Sequence, residues 1–466
     1  MMSPMSIQAE TVSRGLTARA ASFAVGSITR WPDMAIEVAR LSMLDWATVA
    51  FAGKNEPVSH IVRRFATDEG GVPVASVVGG LQRVAPRAAA LTNGACSHAL
   101  DYDDTHFDFV GHPSVAVLPA VLAVAEHMQA TGQALVQAYL VGVETACRLG
   151  GYLGRKHYNA GFHQTATAGS LGAAAACARL LGLNESQASH ALGLAATRAS
   201  GLKSQFGSMG KPYHAGMAAS NGVEVAMLAA LGFQSRPDGI ECAAGFCETH
   251  QAEGGDPSSA FNGLPENFRF VNVQHKFHAC CHGTHATLEA LHALRRSHPI
   301  SPDEVRHIDI AIHPQWLPVC CIPDPCTGLE AKFSLAHVSA LTIVGEDTAN
   351  IASFNEANCR NPAIRALARR VHIVGDASLP DTAARVTVGM ATSSRSATVD
   401  LAEPLAIEIR TARVRAKSQA LLGTDRAERL WREISSIGDV AGPSIRSAIR
   451  SILFCDEQDT AQGDAT

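Results

Sequence analysis

The sequence predicts a mostly α fold, a discontinuous all-helical domain interrupted by a smaller α+β domain. Three observations predict it. The chain has 466 residues, more than the roughly 250–300 at which a single core stops growing, so two domains are expected. Apolar residues make up 47% and aromatics only 5%; with alanine and glycine abundant, that composition suits helices packed closely through small side chains. Short β-prone pieces cluster within residues 271–407, which sets the expected division: 1–270 for the first part of the helical domain, 271–407 for the α+β domain, and 408–466 for a return to the helical domain.

Residues 32–52, PDMAIEVARLSMLDWATVAFA, place apolar side chains at i, i+3, i+4 and i+7, the pattern of an amphipathic helix. VPVASVVGG reads as strand or loop. VAPRAAALTNGACSHAL then leads helically into residues 95–126, ACSHALDYDDTHFDFVGHPSVAVLPAVLAVAE. From Ser114 this stretch is too apolar for a surface helix and shorter than the ~20 residues that span a bilayer, so it predicts a buried helix and no membrane span. ALVQAYLVGVETACRLGGYLG is a further helical run. In GFHQTATAGSLGAAAACARLLGLNESQASHALGLAATRASG, small residues from Thr165 to Ala176 favour close helix contact. Gly182 can end one helix, and Asn184 with Gln187 forms a capping box for the next. HIDIAIHPQ alternates as a strand, RRVHIVG, ARVTVGM and SATVDLA are β-prone, and AKFSLAHVSALTIV is a helix among them. TDRAERLWREISSIG and the amphipathic tail return to the helical body; the polar DEQDTAQGDAT end is expected to fray.

Net charge is −5 with basic residues dispersed, which excludes the basic footprint of a nucleic-acid binder. Twelve cysteines are scattered, several in apolar helical text such as Cys147 and Cys177. No secretory signal precedes them, so a cytoplasmic protein with free thiols is expected. Arg14, Arg19 and Ser13 suit a mitochondrial leader, whereas Glu10 does not.

Chemistry concentrates in residues 98–112, which hold His98, Asp101, Asp103, Asp104, His106, Asp108 and His112 in a chain only 17% charged. A solvated acidic turn, a metal site and an acid/base site compete here. A calcium loop from Asp101 would need glycine where His106 stands and glutamate where His112 stands, and there is no HExxH. His163 precedes a helix start, where unpaired N–H groups favour an anion; alone, it reads as readily as a core histidine. FGSMGKPYH resembles a phosphate loop only superficially, since Gln205 and Pro212 occupy positions that need glycine and Ser or Thr. Lys211 and His214 instead sit in a turn feeding a helix. In KFHACCHGTH, Cys281 and His285 have spacing usable for zinc, with Cys320, Cys321 and Cys326 downstream, but no CxxC pair occurs. A lysine with histidines at a helix start, Lys276 onward, fits an anion site better, provided that the two domains face each other.

NGACSHALDYDDTHFDFVGHPS, GFHQTATAGSLGAAA, FGSMGKPYHAGMAASNG, KFHACCHGTH and AKFS, in this order and spacing, resemble the MmgE/PrpD family over most of the chain. The resemblance implies a discontinuous helical domain with an α+β lid, a homodimer, and a site between the domains that uses no cofactor and no metal. Carried over motif by motif, it implies catalytic roles for Asp101, His112, His163, Lys211 and Lys276; Asp104, His214, Cys281, His285 and His337 are the expected substrate-binding residues. Two departures stand out: Cys281 where cis-aconitate decarboxylases carry histidine, and His337 where many members carry tyrosine. Family substrates are small di- and tricarboxylates, and the shared chemistry moves protons or carboxylate next to a carboxylate. The expected activity is therefore dehydration of a 2-methylcitrate-like hydroxy acid, with the lysines neutralising charge, His112 and His163 as acid and base, and Asp101 orienting a histidine. Epimerisation of an iminodisuccinate-like dicarboxylate, cis-aconitate-type decarboxylation and non-catalytic carboxylate binding are the alternatives. Two histidines in these roles predict a bell-shaped pH profile with limbs near neutrality.

Overall fold

The computed structural model describes residues 15–439 and residue 453. The leader-like positions before residue 15 and the expected fraying of the C-terminal end lie outside the described residues. The helical body runs in chain order through α1 (Leu16–Val25), α2 (Asp33–Ala52), α3 (Pro57–Glu69), α4 (Pro86–Ser97), α5 (Pro113–Met128), α6 (Gly132–Asn159), α7 (Gln164–Leu180), α8 (Glu185–Arg198) and α9 (Gly210–Ala230). None of the described helices is long and apolar enough to cross a membrane.

Helix α5 is the axis of this body. It is apolar on every side, which removes any face for solvent; accordingly every residue from Pro113 to Ala125 is buried, with α4, α6, α7 and α9 around it. Pro113 occupies its first turn, where the missing N–H would have no partner in any case. The surrounding helices approach to backbone contact. A Cβ on Gly216 of α9 would lie 2.1 Å from the Leu91 carbonyl oxygen of α4, so side chains are excluded from that crossing. Helix α7 ends before Gly182, whose φ of +66° is a left-handed conformation natural to glycine. The Asn184–Gln187 capping box that opens α8 is present with both reciprocal bonds.

The smaller unit is a four-stranded sheet of β1 (Val305–Ile312), β2 (Val371–Gly375), β3 (Ala383–Met390) and β4 (Ser394–Asp400) in the order β2-β1-β3-β4. β1 runs parallel to β2 and antiparallel to β3; β3 and β4 are antiparallel. Ile308 and Ile310 of β1 pair with Val388 and Val386 of β3, and all four are buried. The helices His285–Ser297 and Leu335–Val344 pack against the sheet, and their apolar residues share its core. The alternation of β1, with exposed Arg306 and Asp309 between buried residues, fits a sheet wetted on one face.

After the sheet, helices Ile407–Leu422 and Thr424–Ser435 pack on α2. The first carries the deepest ion pair of this contact. Lys417 Nζ lies 2.6 Å from Asp45 Oδ1 and donates to the Tyr102 carbonyl oxygen, also at 2.6 Å. Burial pushes Asp45 up to about 6, against the pull of Lys417, and burial lowers Lys417. Removing one member of such a pair leaves a buried charge unpaired, at a cost of about 3–5 kcal/mol. Lys417→Ala is therefore expected to lower denaturant stability by that amount, and the double change Asp45→Asn with Lys417→Met to recover much of it; equal losses in the single and double variants would show that the pair is not the source.

Candidate active site

Helix α4 ends at Ser97, and the chain turns through Asp101, whose φ of 50° is left-handed. Aspartate tolerates that conformation better than most non-glycine residues, and its N–H bonds back to the His98 carbonyl at 3.1 Å. The turn is pinned on one side by Lys417 at Tyr102. On the other, Thr105 and Gln274 exchange backbone bonds of 2.8 and 2.7 Å with the segment leading into the sheet-bearing unit.

Asp101 is the centre of the site. Its Oδ2 lies 2.6 Å from Lys211 Nζ, on the first turn of α9. Its Oδ1 accepts from Lys276 Nζ at 3.0 Å and stands 3.5 Å from His112 Nε2. Lys276 also donates to the Asp101 carbonyl oxygen at 2.6 Å. Burial alone would raise the Asp101 pKa, but Lys211, Lys276 and the nearby histidines outweigh it and hold the carboxyl well below the usual range. For Lys276, burial favours the neutral amine, yet Asp101 and Asp103 prevail and raise its pKa.

Asp103 lies beneath, fully buried, with its Oδ1 2.8 Å from His98 Nδ1. Its Oδ2 is 2.8 Å from His112 Nδ1, close enough for strong electrostatic attraction though not aligned as a hydrogen bond. His98 and His112 meet edge to face at 4.5 Å. Burial lowers His112 to about 4 despite the opposing pull of Asp103. Asp103 itself is held well below the usual range, the histidines overcoming its burial. Asp101 keeps 34% of its side chain exposed and Asp103 none, so a ligand meets Asp101 first.

His163 caps α7, and its Nδ1 is 3.1 Å from His214 Nδ1 on α9. One of the two must carry the proton they share. Burial, then the Lys211 charge, pushes His163 well below its usual value; burial lowers His214 too. Phe206 lies edge-on to His163 at 5.0 Å and beneath the Lys211 ammonium at 5.3 Å. From the sheet-bearing unit come Lys276, half-buried Cys281 and His282, whose Nδ1 is 2.9 Å from Thr105 Oγ1.

The structure thus brings Asp101, His112, His163, Lys211, Lys276 and His214 together, and half-buried Cys281 follows Lys276 by five residues in the chain. It does not bring Asp104, His285 or His337 to them. Asp104 turns inward to accept from Ser114 Oγ at 2.5 Å, and burial beside Asp45 raises it to about 7. His285 lies behind His282, with Nε2 at 3.2 Å from the Cys280 carbonyl. His337 is buried in the first turn of Leu335–Val344 with no hydrogen bond at Nε2. Sequence reading gave no role to His98 and Asp103. Both belong to the charged cluster at 98–112, whose composition marks the turn but not the partner of each side chain.

His98, Asp101, Asp103 and His112 offer ligating atoms within 4.8 Å of one another. A dication there would face the ammonium groups of Lys211 and Lys276, which already neutralise Asp101. Cation repulsion makes this a charge network better suited to an anion. A cavity of about 350 Å³ lined by Trp31, Arg40 and Gln133 lies elsewhere, between α2 and α6, and adjoins Asp439.

By NMR titration, His112 should titrate near about 4 instead of the ordinary ~6.5, and Asp103→Asn should lower it further; an ordinary midpoint would mean that water reaches the ring. The folded state resists this protonation, so His112 costs stability as pH falls from ~6.5 toward its folded value. Asp101 and Asp103, held low, contribute stability above ~3.9 that is lost as pH falls through their folded values. Exhaustive dialysis against a chelator should leave the thermal midpoint unchanged, whereas a drop reversed by one divalent ion would establish a metal centre.

Residues 18–255 match the MmgE/PrpD N-terminal domain and residues 278–434 the MmgE/PrpD C-terminal domain. The chain is 29% identical over 366 residues to a cis-aconitate decarboxylase of Aspergillus terreus, covering 73% of this chain and 74% of that protein. It is 28% identical over 364 residues to the cis-aconitate decarboxylase of Homo sapiens, covering 75% and 73%. Both halves of the charge network, Lys211 from the helical body and Lys276 at the start of the sheet-bearing unit, therefore sit in a chain that belongs to the MmgE/PrpD family.

Proposed function

We propose that this protein is a lyase that dehydrates a small hydroxy-polycarboxylate, with its own side chains carrying the proton transfers. The observation that supports this most is the clamp of Lys211 and Lys276 on the exposed edge of Asp101, beside histidines that burial keeps neutral. A carbon next to a carboxylate is a weak acid, and losing its proton drives charge onto that carboxylate. A well-placed donor in a water-poor site offsets about 3–4 kcal/mol of such a barrier.

His112 is the base. Unprotonated at neutral pH, it presents Nε2 toward the lysine-bound edge of Asp101, and Asp103 beside Nδ1 stabilises the imidazolium that forms. The His163–His214 pair supplies a proton to the leaving hydroxyl. The C–H and C–O bonds break, the alkene forms, and the hydroxyl leaves as water. Separate acceptor and donor groups are what dehydration needs.

A second reading, decarboxylation of an unsaturated tricarboxylate, is favoured by the activity named for the relatives. There the C–CO₂ bond breaks, and a histidine protonates the carbon. Cys281, at the position where the family resemblance places histidine in decarboxylases, weighs against it.

Proton NMR in D₂O with 2-methylcitrate, citrate, cis-aconitate and iminodisuccinate distinguishes these outcomes. An alkene signal from a hydroxy acid supports dehydration, CO₂ loss from cis-aconitate supports the second reading, and deuterium exchange with inversion at iminodisuccinate would replace both with epimerisation. Lys211→Ala and Lys276→Ala should each lower kcat/KM by about 10²- to 10³-fold. The depressed His112 shifts the expected acid limb of kcat/KM from neutrality to about 4; a limb near 6.5 would remove His112 as the base.

A further inference from the structure

Cys281 and Cys320 are 39 positions apart in sequence, yet the Cys320 thiol donates to Cys281 Sγ at 3.5 Å. The contact is built into the local fold. Cys281 N–H bonds the Lys332 carbonyl at 3.0 Å, and its carbonyl accepts from Thr284 N–H at 2.9 Å at the start of the next helical turn. Cys320 ends the short helix Leu317–Cys320. Gly283 leaves the space that Cys320 fills: a Cβ there would lie 2.8 Å from Cys320 Sγ and 2.5 Å from the Trp316 ring.

The two sulfurs are not equivalent. Cys281 is half-buried and Cys320 fully buried. Cys281 receives the Cys320 S–H and the Gly283 N–H, and these, with Lys276, lower its pKa against burial and the Asp101 charge. Cys320, the donor, is pushed far up by that same contact and by burial. One cysteine is half-buried and inclined to the thiolate, the form that attacks oxidants; the other is buried, protonated and adjacent.

We propose that Cys281 and Cys320 form a redox-sensitive pair that hydrogen peroxide converts to a disulfide, switching off the neighbouring site. The Cys281 thiolate attacks one peroxide oxygen. The O–O bond breaks, hydroxide leaves and takes a proton to become water, and Cys281 becomes a sulfenic acid. Cys320 sulfur then attacks Cys281 sulfur; the S–S bond forms, and the S–OH bond breaks, releasing a second water with the Cys320 proton. Two thiols lose two hydrogens and two electrons, and one peroxide is reduced to two waters. The new bond removes the thiol beside Lys276 and moves the backbone on which Lys332 and Thr284 are hydrogen-bonded. The loss of turnover rests on the lyase reading above, whereas formation of the bond does not.

The test treats the full-length reduced protein with limiting peroxide and maps alkylatable thiols by mass spectrometry. The expected result is loss of two hydrogens, protection of two thiols, a Cys281–Cys320 linked peptide, and full reversal by dithiothreitol. Cys321→Ser should form the same bond, while Cys320→Ser should stop at the sulfenic acid. If both thiols stay alkylatable while the protein's other cysteines oxidise, or if Cys320→Ser forms a disulfide equally well, the pair is overturned. If Cys320→Ser fails to fold, the linked peptide from the unmutated protein decides. Turnover of whichever substrate proves active should fall at least tenfold on oxidation; an oxidised pair with unchanged turnover would overturn the switch and leave the bond.

Discussion

Asp101 stays ionised inside this protein because cations from distant parts of the chain converge on its turn. Asp101 is neutralised by Lys211 from α9 and by Lys276 from the segment leading into the sheet-bearing unit. Asp103 lies 2.8 Å from the Nδ1 atoms of His98 and His112, which stand on either side of it in sequence. Beneath them, Asp45 is matched by Lys417 from the returning helix, which also holds the Tyr102 carbonyl. An ionised carboxylate moved into a low-dielectric interior without partners is heavily penalised. The relative placement of body, sheet-bearing unit and returning helix is thus tied to charge as well as to apolar burial.

That coupling also sets the state of the histidines. Ammonium groups near a buried imidazole oppose its protonation, and His112 is lowered by burial, with Lys276 adding to it. A lysine that attracts carboxylates therefore also keeps that ring available as a proton acceptor. The same charges serve ligand attraction and base preparation.

Elements whose buried face is apolar were legible in the sequence. The alternation of HIDIAIHPQ anticipates β1, and the all-round apolarity after Ser114 anticipates buried α5. Helix Ile407–Leu422 was not singled out, because its buried positions are Arg410, Val414, Lys417 and Ser418. Helical spacing is there, but an apolar pattern cannot report a face that is mostly polar. In the candidate site, a charged cluster and a family resemblance pointed to the turn on which these side chains converge. They could not reveal which way each side chain faces: Asp104, one residue from Asp103, bonds Ser114, and His337 sinks into the sheet-bearing unit. Nor could spacing show Cys320 against Cys281, since that contact depends on the room left at Gly283.

The hydrogen bond from Lys417 to the Tyr102 carbonyl joins positions 315 residues apart. During synthesis the turn bearing Asp101 and Asp103 leaves the ribosome long before the helix that secures it. Until Ile407–Leu422 docks, Asp45 has no ammonium partner, and the buried side of the site has no reason to exclude water. The candidate site is therefore complete only once the returning helices have packed on α2.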